Sequence, residues 1–332
     1  MTNEDAGALS QGITPPIHVH EYQLRSGATL NAASERRVFA GALIRVGEGY
    51  GCVHPWPEFG DAPVEEQLRL LREGVTTPVT AMALHCAEID GAARRSGVSL
   101  FEGLEIPRSH YSWSFAADSE SQMQRVLDER WPAMKAKGSA KHEDTHRFLE
   151  LCANRFEAKG VRLRVDFNGV LDREAFETFL ESLPPQVKRA LDFVEDPFPY
   201  DADAWLSLSR RWNLRLALDK GWKDGTQGFD AVVVKPARRD WRRVAQAHPG
   251  TPLVMTSAMD HALGQMFAAY EAAAAKAEGY PLDFCGLCTE HLFEKDSFFE
   301  RVHTRGGILE ADRSGGGLGF GDLLEGLSWR RL

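Results

Sequence analysis

Three apolar runs in this chain each end in an acid. Val161-Arg-Leu-Arg-Val-Asp166-Phe-Asn168-Gly169, Phe193-Val-Glu195-Asp196-Pro197 and Leu214-Arg-Leu-Ala-Leu-Asp219 all place a carboxylate where a strand-like stretch gives way to a turn. One such acid is accounted for by helix capping, because Asp and Asn at a strand-to-helix junction accept backbone N–H bonds from the helix that follows. Three in succession need more. If their strands are neighbours, the carboxylates repel one another and are costly to desolvate without a cation among them. A hard divalent ion with oxygen ligands, most simply Mg²⁺ with Mn²⁺ as a substitute, meets that requirement. Asp166, Glu195 and Asp219 are therefore the candidate metal ligands.

Lysines stand at matching places on the flanking runs, in Ala133-Met-Lys135-Ala-Lys137-Gly138 and in Ala231-Val-Val-Val-Lys235-Pro236. A lysine that closes three valines either snorkels at a strand end or points into the same mouth as the acids. Lys135 and Lys137 share one strand face, so each is expected to disfavour the other's charge and lower a lysine pKa toward the range of a general base. Carboxylates flanked by amines suit removal of a proton alpha to a carboxylate, with the negative charge of the product stabilised electrostatically.

The elements that must position these groups follow from periodicity. Residues 17–60 alternate as strands with Gly-rich turns and predict a small antiparallel sheet. Helical spacing follows over VEEQLRLLREG, with Asp61 or Ala62 as its start, and over TPVTAMALHCAEIDGAARRSG. From residue 109 the pattern changes to short strands alternating with amphipathic helices. Strands are predicted at 112–117, 132–137, 162–168, 192–198, 215–219, 231–237, 252–258 and 283–287. Eight strands with intervening helices fit a (β/α) barrel rather than a doubly wound sheet, and such barrels build their sites at the C-terminal ends of the strands. The domain reading is an α+β region over 1–108, a (β/α) barrel over 109–300, and a Gly-rich segment, 301–332, that runs back over the first region.

Composition narrows the function classes. The 332 residues are 43% hydrophobic and 26% charged, enough to bury a sizeable core in a soluble globular protein. A net charge of −9 argues against general nucleic-acid binding, which needs a basic face. The polar N-terminus MTNEDAGALSQGITPP has no basic region followed by an apolar run, and no stretch reaches 18 apolar residues, so neither secretion nor membrane insertion is expected. Five cysteines, an odd number, do not form a disulfide framework and point to a reducing cytoplasm. Cys285-Gly-Leu-Cys288, with His291 beyond, reads either as buried thiols or as part of a zinc or redox site, although no second ligand pair accompanies it.

Taken together, Lys135-x-Lys137, Asp166-x-Asn168, Glu195-Asp196, Asp219 and Lys235-Pro236 resemble the enolase superfamily in its muconate-lactonizing branch, at intervals of 29, 29 and 16 residues. Within that branch the chain is similar to the o-succinylbenzoate synthases. Arg164-Val-Asp-Phe-Asn168 resembles their RxDxN strand, GYGCVHPWPEFG (49–60) their GxGExxPLPGFS loop, and TSAMDHALGQ (256–265) their SSxExxxG segment. The resemblance implies an α+β capping domain built from the N-terminal region and the C-terminal tail over a (β/α)₇β TIM-like barrel, Mg²⁺, and syn dehydration of 2-succinyl-6-hydroxy-2,4-cyclohexadiene-1-carboxylate to 2-succinylbenzoate in menaquinone biosynthesis. It makes Lys137 the base and Lys235 the cation that stabilises the enediolate, with Asp166, Glu195 and Asp219 on the metal. Lys135 joins the lysine pair beside the acids. Asn168 and Asp196 are either caps or supports for the site, and Arg164 either neutralises a dianionic substrate or makes a structural ion pair. Ser257 and the Trp56 loop are candidate substrate contacts. The chain departs from the family pattern at Lys220, where an acid is usual, and at His54, where Ser is frequent. Relatives with the same lysines racemise N-succinyl amino acids, epimerise dipeptides or cycloisomerise muconates, so an N-succinylamino acid racemase is the nearest alternative, and a non-catalytic metal-binding relative a further one.

Overall fold

The computed structural model describes residues 15–30, 34–115, 117–311, 313 and 315–332. The polar N-terminal stretch lies, through residue 14, outside the described residues, as do Ala116 of the first expected barrel strand and residues 312 and 314 of the tail. No helix among the described residues is long and apolar enough to cross a membrane.

The N-terminal region is an antiparallel sheet of β1 (Ile17–Arg25), β2 (Val38–Val46) and β3 (Gly49–Val53), covered by α1 (Val64–Arg72) and α2 (Pro78–Arg95). Alternation in β2 sends Ala42 and Ile44 into a core shared with Val53, Leu68 and Val79. The Gly-Tyr-Gly of β3 has a packing cause: a Cβ on Gly49 would stand 1.8 Å from Ala87 O, and one on Gly51 2.0 Å from Ala83 O, so α2 rests directly on the strand backbone. Thr77 opens α2 with a reciprocal cap, its Oγ1 accepting from Thr80 N while its own N–H donates to Thr80 Oγ1. Helix α1 begins at Val64, later than Asp61 or Ala62. Asp61 is engaged elsewhere, its carboxylate accepting from Trp56 N at 2.7 Å and pairing with Arg238.

The rest of the chain is a barrel. β4 (Tyr111–Ser112), β5 (Ala133–Lys137), β6 (Arg162–Asp166), β7 (Leu191–Glu195), β8 (Leu216–Leu218), β9 (Ala231–Val234) and β10 (Leu253–Met255) form a parallel seven-stranded sheet in that order. Between them run α3 (Ser119–Asp128), α4 (His142–Phe156), α5 (Arg173–Ser182), α6 (Pro185–Ala190), α7 (Ala202–Trp212) and α8 (Trp241–Ala247), and α9 (Ala262–Ala277) follows β10. The strands are shorter than the sequence predicts, because each ends where the chain turns outward at the site. The strand expected at 283–287 is present as isolated parallel bridges, Ser109 to Cys285 and Thr256 to Gly286, which close the sheet as an eighth stave.

Inside the barrel the filling changes with height. Phe193, Ala217, Ala231, Val233 and Val254 form an apolar cluster on the inward faces of β7 to β10. Next to it lies Arg164, wholly buried, its guanidinium 4.4 Å over the Phe193 ring. The β6–β7 register jumps from Leu163–Leu191 to Arg164–Phe193, which makes Asp192 an extra residue whose carboxylate accepts from Arg164 Nε at 2.7 Å. Asp283 of the eighth stave accepts from Arg164 Nη2, also at 2.7 Å, and Arg215 bridges the same two acids.

The C-terminal tail divides its contacts. β11 (His303–Arg305) and β12 (Ile308–Glu310) form a hairpin whose turn accepts from Ser109 N through Gly307 O. Gly317 and Leu318 then lie against α2, with Leu318 N donating to Asp90, and after α10 (Gly321–Glu325) the strand β13 (Arg330–Arg331) adds to the free edge of β1. The cap is thus closed by the end of the chain.

Gly51→Ala is expected to force α2 off β3. An overpacking cost of roughly 1–3 kcal/mol should appear as a lower urea midpoint with an unchanged far-UV spectrum, and an unshifted midpoint would refute the backbone contact as the reason for glycine.

Candidate active site

Five barrel elements raise charged side chains to one end. Lys137, Asp166 and Glu195 are the last residues of β5, β6 and β7, Asp219 directly follows β8, and Lys235 directly follows β9. Register makes the first three neighbours, Lys137 opposite Asp166 and Asp166 opposite Glu195. Beside them opens a cleft whose wall includes Lys135, Lys137, Asp166, Glu195, Lys235 and Ser257.

Every acid has an ammonium partner. Lys137 Nζ donates to Asp166 Oδ2 at 2.5 Å, Lys135 Nζ to Glu195 Oε2 at 2.8 Å, and Lys235 Nζ to Asp219. Lys135 Nζ is also 3.6 Å from Asp166. Burial opposes charge on Asp166, yet the adjacent Lys137 and Lys135 hold its carboxyl well below the usual range. Glu195 moves the other way, raised by burial and then by the charge of Asp166. Lys135 departs from the expectation of a lowered lysine pKa. Burial does act in that direction, but Glu195 and Asp166 outweigh both it and the neighbouring lysine, so its ammonium is held above the ordinary range.

Two expected supports have defined bonds. Asp196 accepts from the backbone N–H groups of Asp219 and Lys220, at 3.1 Å each, so it fixes the turn that presents Asp219. Asn168 receives no cap role; its own N–H donates to Asp166 Oδ1 at 2.9 Å, orienting that carboxylate. Both residues sit at positive φ, 42° and 54°, the backbone form that turns the chain sharply away after each acid.

Among the described residues no group of three acidic, histidine or cysteine side chains stands as an ion's ligands would, since each acid is turned toward a lysine. What fits is the chemistry: three hard oxygen donors on successive strands, with Glu195 raised in pKa by burial and then by the charge of Asp166, both of which a bound cation relieves.

Arg164 makes the ion pair and lies below the residues that line the cleft. Its Nε, Nη1 and Nη2 donate to Asp192, Phe284 O and Asp283, and Nη1 also faces His110 Nδ1 at 3.0 Å. Trp56 is likewise not a cleft residue. Its ring is buried against Phe39 and Phe59, and Nε1 donates to Ala258 O at 2.8 Å, pinning the cap to the barrel rim. Ser257 does reach the cleft, its Oγ within 2.7 Å of Thr289 Oγ1.

The two departures from the family pattern lie at the same seam. Lys220 Nζ donates to Asn168 O at 3.0 Å and lies 4.7 Å over the Phe59 ring, tying the cap turn to the barrel loops. His54 is buried beside the Tyr22 hydroxyl, 2.8 Å from Nδ1, and burial followed by the Arg36 charge pushes it down to about 3, so it is neutral. All five cysteines are free and buried, with Cys285 pushed up to about 12 by burial, and His291 bonds Ser112 O; these are buried thiols rather than a zinc or redox site.

His110 also lines the cleft and escapes the sequence reading, which starts this strand at Ser112; Trp113 and Phe115, inside the predicted strand, line the cleft as well. The signal was present in the alternation of His110, Ser112 and Ser114, which places them on one face.

Comparison with known proteins gives consistent results. Residues 17–93 match the family model for the N-terminal domain of o-succinylbenzoate synthase. The chain is 32% identical over 331 residues to the o-succinylbenzoate synthase of Bdellovibrio bacteriovorus, covering 95% of this chain and 98% of that one. Among solved structures, the fold is shared with a dipeptide epimerase from Methylococcus capsulatus complexed with Mg and L-Arg-D-Lys, at TM-score 0.68 and 17% identity, over 92% of this chain and 99% of the other. It is shared also with the muconate lactonizing enzyme of Pseudomonas fluorescens, at TM-score 0.71 and 14% identity, over 96% of each.

Trp56→Phe keeps the ring and removes the bond to Ala258 O. It is expected to cost about 1 kcal/mol of stability, seen as a lower melting temperature, with no change in KM; a raised KM at unchanged stability would return Trp56 to the substrate contacts.

Proposed function

We propose that this chain, which belongs to the o-succinylbenzoate synthase family of the enolase superfamily, dehydrates 2-succinyl-6-hydroxy-2,4-cyclohexadiene-1-carboxylate to 2-succinylbenzoate by proton abstraction alpha to the ring carboxylate. The observation that carries the reading is Lys137 and Lys235 at the ends of β5 and β9, with the three acid-bearing strands between them. Family membership supports the reaction, and the residues support the chemistry. The substrate is a small-molecule carboxylate, and the five free buried thiols support a reducing, cytoplasmic setting for menaquinone synthesis.

Asp166, Glu195 and Asp219 would hold Mg²⁺, or Mn²⁺ in its place, and the ion when bound supplies positive charge against the negative charge that develops on the carboxylate. Lys137 takes the proton and returns it to the hydroxyl that leaves on the same face, so that water departs. Lys235 remains an ammonium and stabilises the enediolate from the opposite side of the cleft. Asp196 and Asn168 keep Asp219 and Asp166 in place while charge moves.

The purified chain is expected to convert the cyclohexadiene acid to 2-succinylbenzoate, to lose that activity in EDTA, and to recover it with Mg²⁺ or Mn²⁺. Asp219→Asn should weaken metal binding sharply by calorimetry, and full turnover in chelator would refute the ligand assignment.

The two lysines are expected to be unequal. Lys137→Arg keeps a charge but offers no base near neutral pH, because guanidinium stays protonated; kcat should fall on the order of 10³-fold, and Lys235→Arg should be milder. Equal losses, with deuterium entering an N-succinyl amino acid from D₂O and no turnover of the cyclohexadiene acid, would favour the racemase.

A further inference from the structure

His110 stands on the first barrel stave, one residue before β4, and is only 1% exposed, yet it is part of the cleft wall. Its two ring nitrogens have different neighbours. Nδ1 is 3.0 Å from Arg164 Nη1. A guanidinium has donors and no acceptor, so in this pair Nδ1 accepts and carries no proton. Arg164 is itself fixed by Asp192, Asp283 and Phe284 O, so the donor cannot swing away. The proton of the neutral ring must therefore sit on Nε2, which has no hydrogen-bond partner among the described residues and lies beside Gly286, another residue of the cleft wall. Burial, then the charges of Arg164 and Lys135, keep the ring neutral. A Cβ at position 286 would stand 2.9 Å from Nε2, so glycine leaves that N–H accessible.

We infer that His110 is a substrate-orienting donor, its Nε2–H bonding a carboxylate or carbonyl oxygen of the substrate in the cleft beside Lys135, with Arg164 as the positioning residue that sets the tautomer. This rests on the synthase reading for the identity of the ligand, whereas the tautomer follows from the arginine contact alone. Arg164 then acts on substrate through the imidazole, which it does not replace. A donor without charge suits this place, because Lys135 already supplies positive charge and a second cation beside it would repel it.

The test uses the full chain with ¹⁵N-labelled histidine, His110 being assigned by the signal lost in His110→Gln. Long-range ¹H–¹⁵N spectra should show a neutral ring protonated at Nε2, and that signal should move when 2-succinylbenzoate is added with Mg²⁺. Kinetically, His110→Phe should raise KM and the product Kd about ten-fold, the scale of one lost hydrogen bond, with a smaller change in kcat. His110→Gln, which keeps an amide donor, should recover most of the loss. If His110→Phe does not fold, the spectrum of the unaltered chain decides alone. A proton on Nδ1, an imidazolium, or an Nε2–H signal unmoved by bound product overturns the inference. A chain that calorimetry shows to bind no 2-succinylbenzoate overturns the synthase reading, and this contact with it.

Discussion

Like charges held out of water dominate this molecule. Asp166 and Glu195 are almost fully buried and Asp219 is close by, and unit charges of one sign at ~4 Å in a medium of ε ≈ 20 cost about 4 kcal/mol per pair. The fold answers with three lysines from the strands on either side, one for each acid. Strand ends must then lie at one height, turns must leave sharply at Asn168 and Asp196, and the space beneath must be filled so that water does not dissolve the arrangement from below. The apolar cluster around Phe193 and the Arg164 ion pairs do that filling.

How much of this could be read beforehand depended on whether a feature leaves a local trace. The acids and lysines were legible because a carboxylate or an amine at the end of an apolar run is chemically out of place. Barrel and cap were legible from period and from the change in pattern near residue 109. The eighth stave was harder, since CGLC pairs through isolated bridges to two distant segments and has no strand pattern of its own. Arg164 was open between two readings because its partners, Asp192 and Asp283, are set by a bulge and by closure of the barrel. The raised lysine at 135 shows a similar limit. A strand shows which charges share a face, but the acids that reversed the shift come from neighbouring strands.

The cap contributes few charges to the chemistry, but its attachment governs the rim. Trp56 bonds the loop after β10, Asp61 pairs with Arg238 beyond β9, and Lys220 beyond β8 lies over Phe59. Three consecutive barrel loops are therefore tied to one short stretch of the cap. A dipeptide epimerase and a muconate lactonizing enzyme share the fold at low identity.

Arg164 and its partners also bear on the order in which the chain can assemble. Asp283 and Phe284 O, which satisfy half of its bonds, lie 119 and 120 residues further along. While a ribosome is still making α9, the guanidinium has no complete set of partners, and burying it in an open half-barrel would strand a charge in an apolar interior. Contacts of such long range favour slow, late consolidation. The residue that fixes the floor of the mature barrel thus has its full set of partners only once the eighth stave is in place.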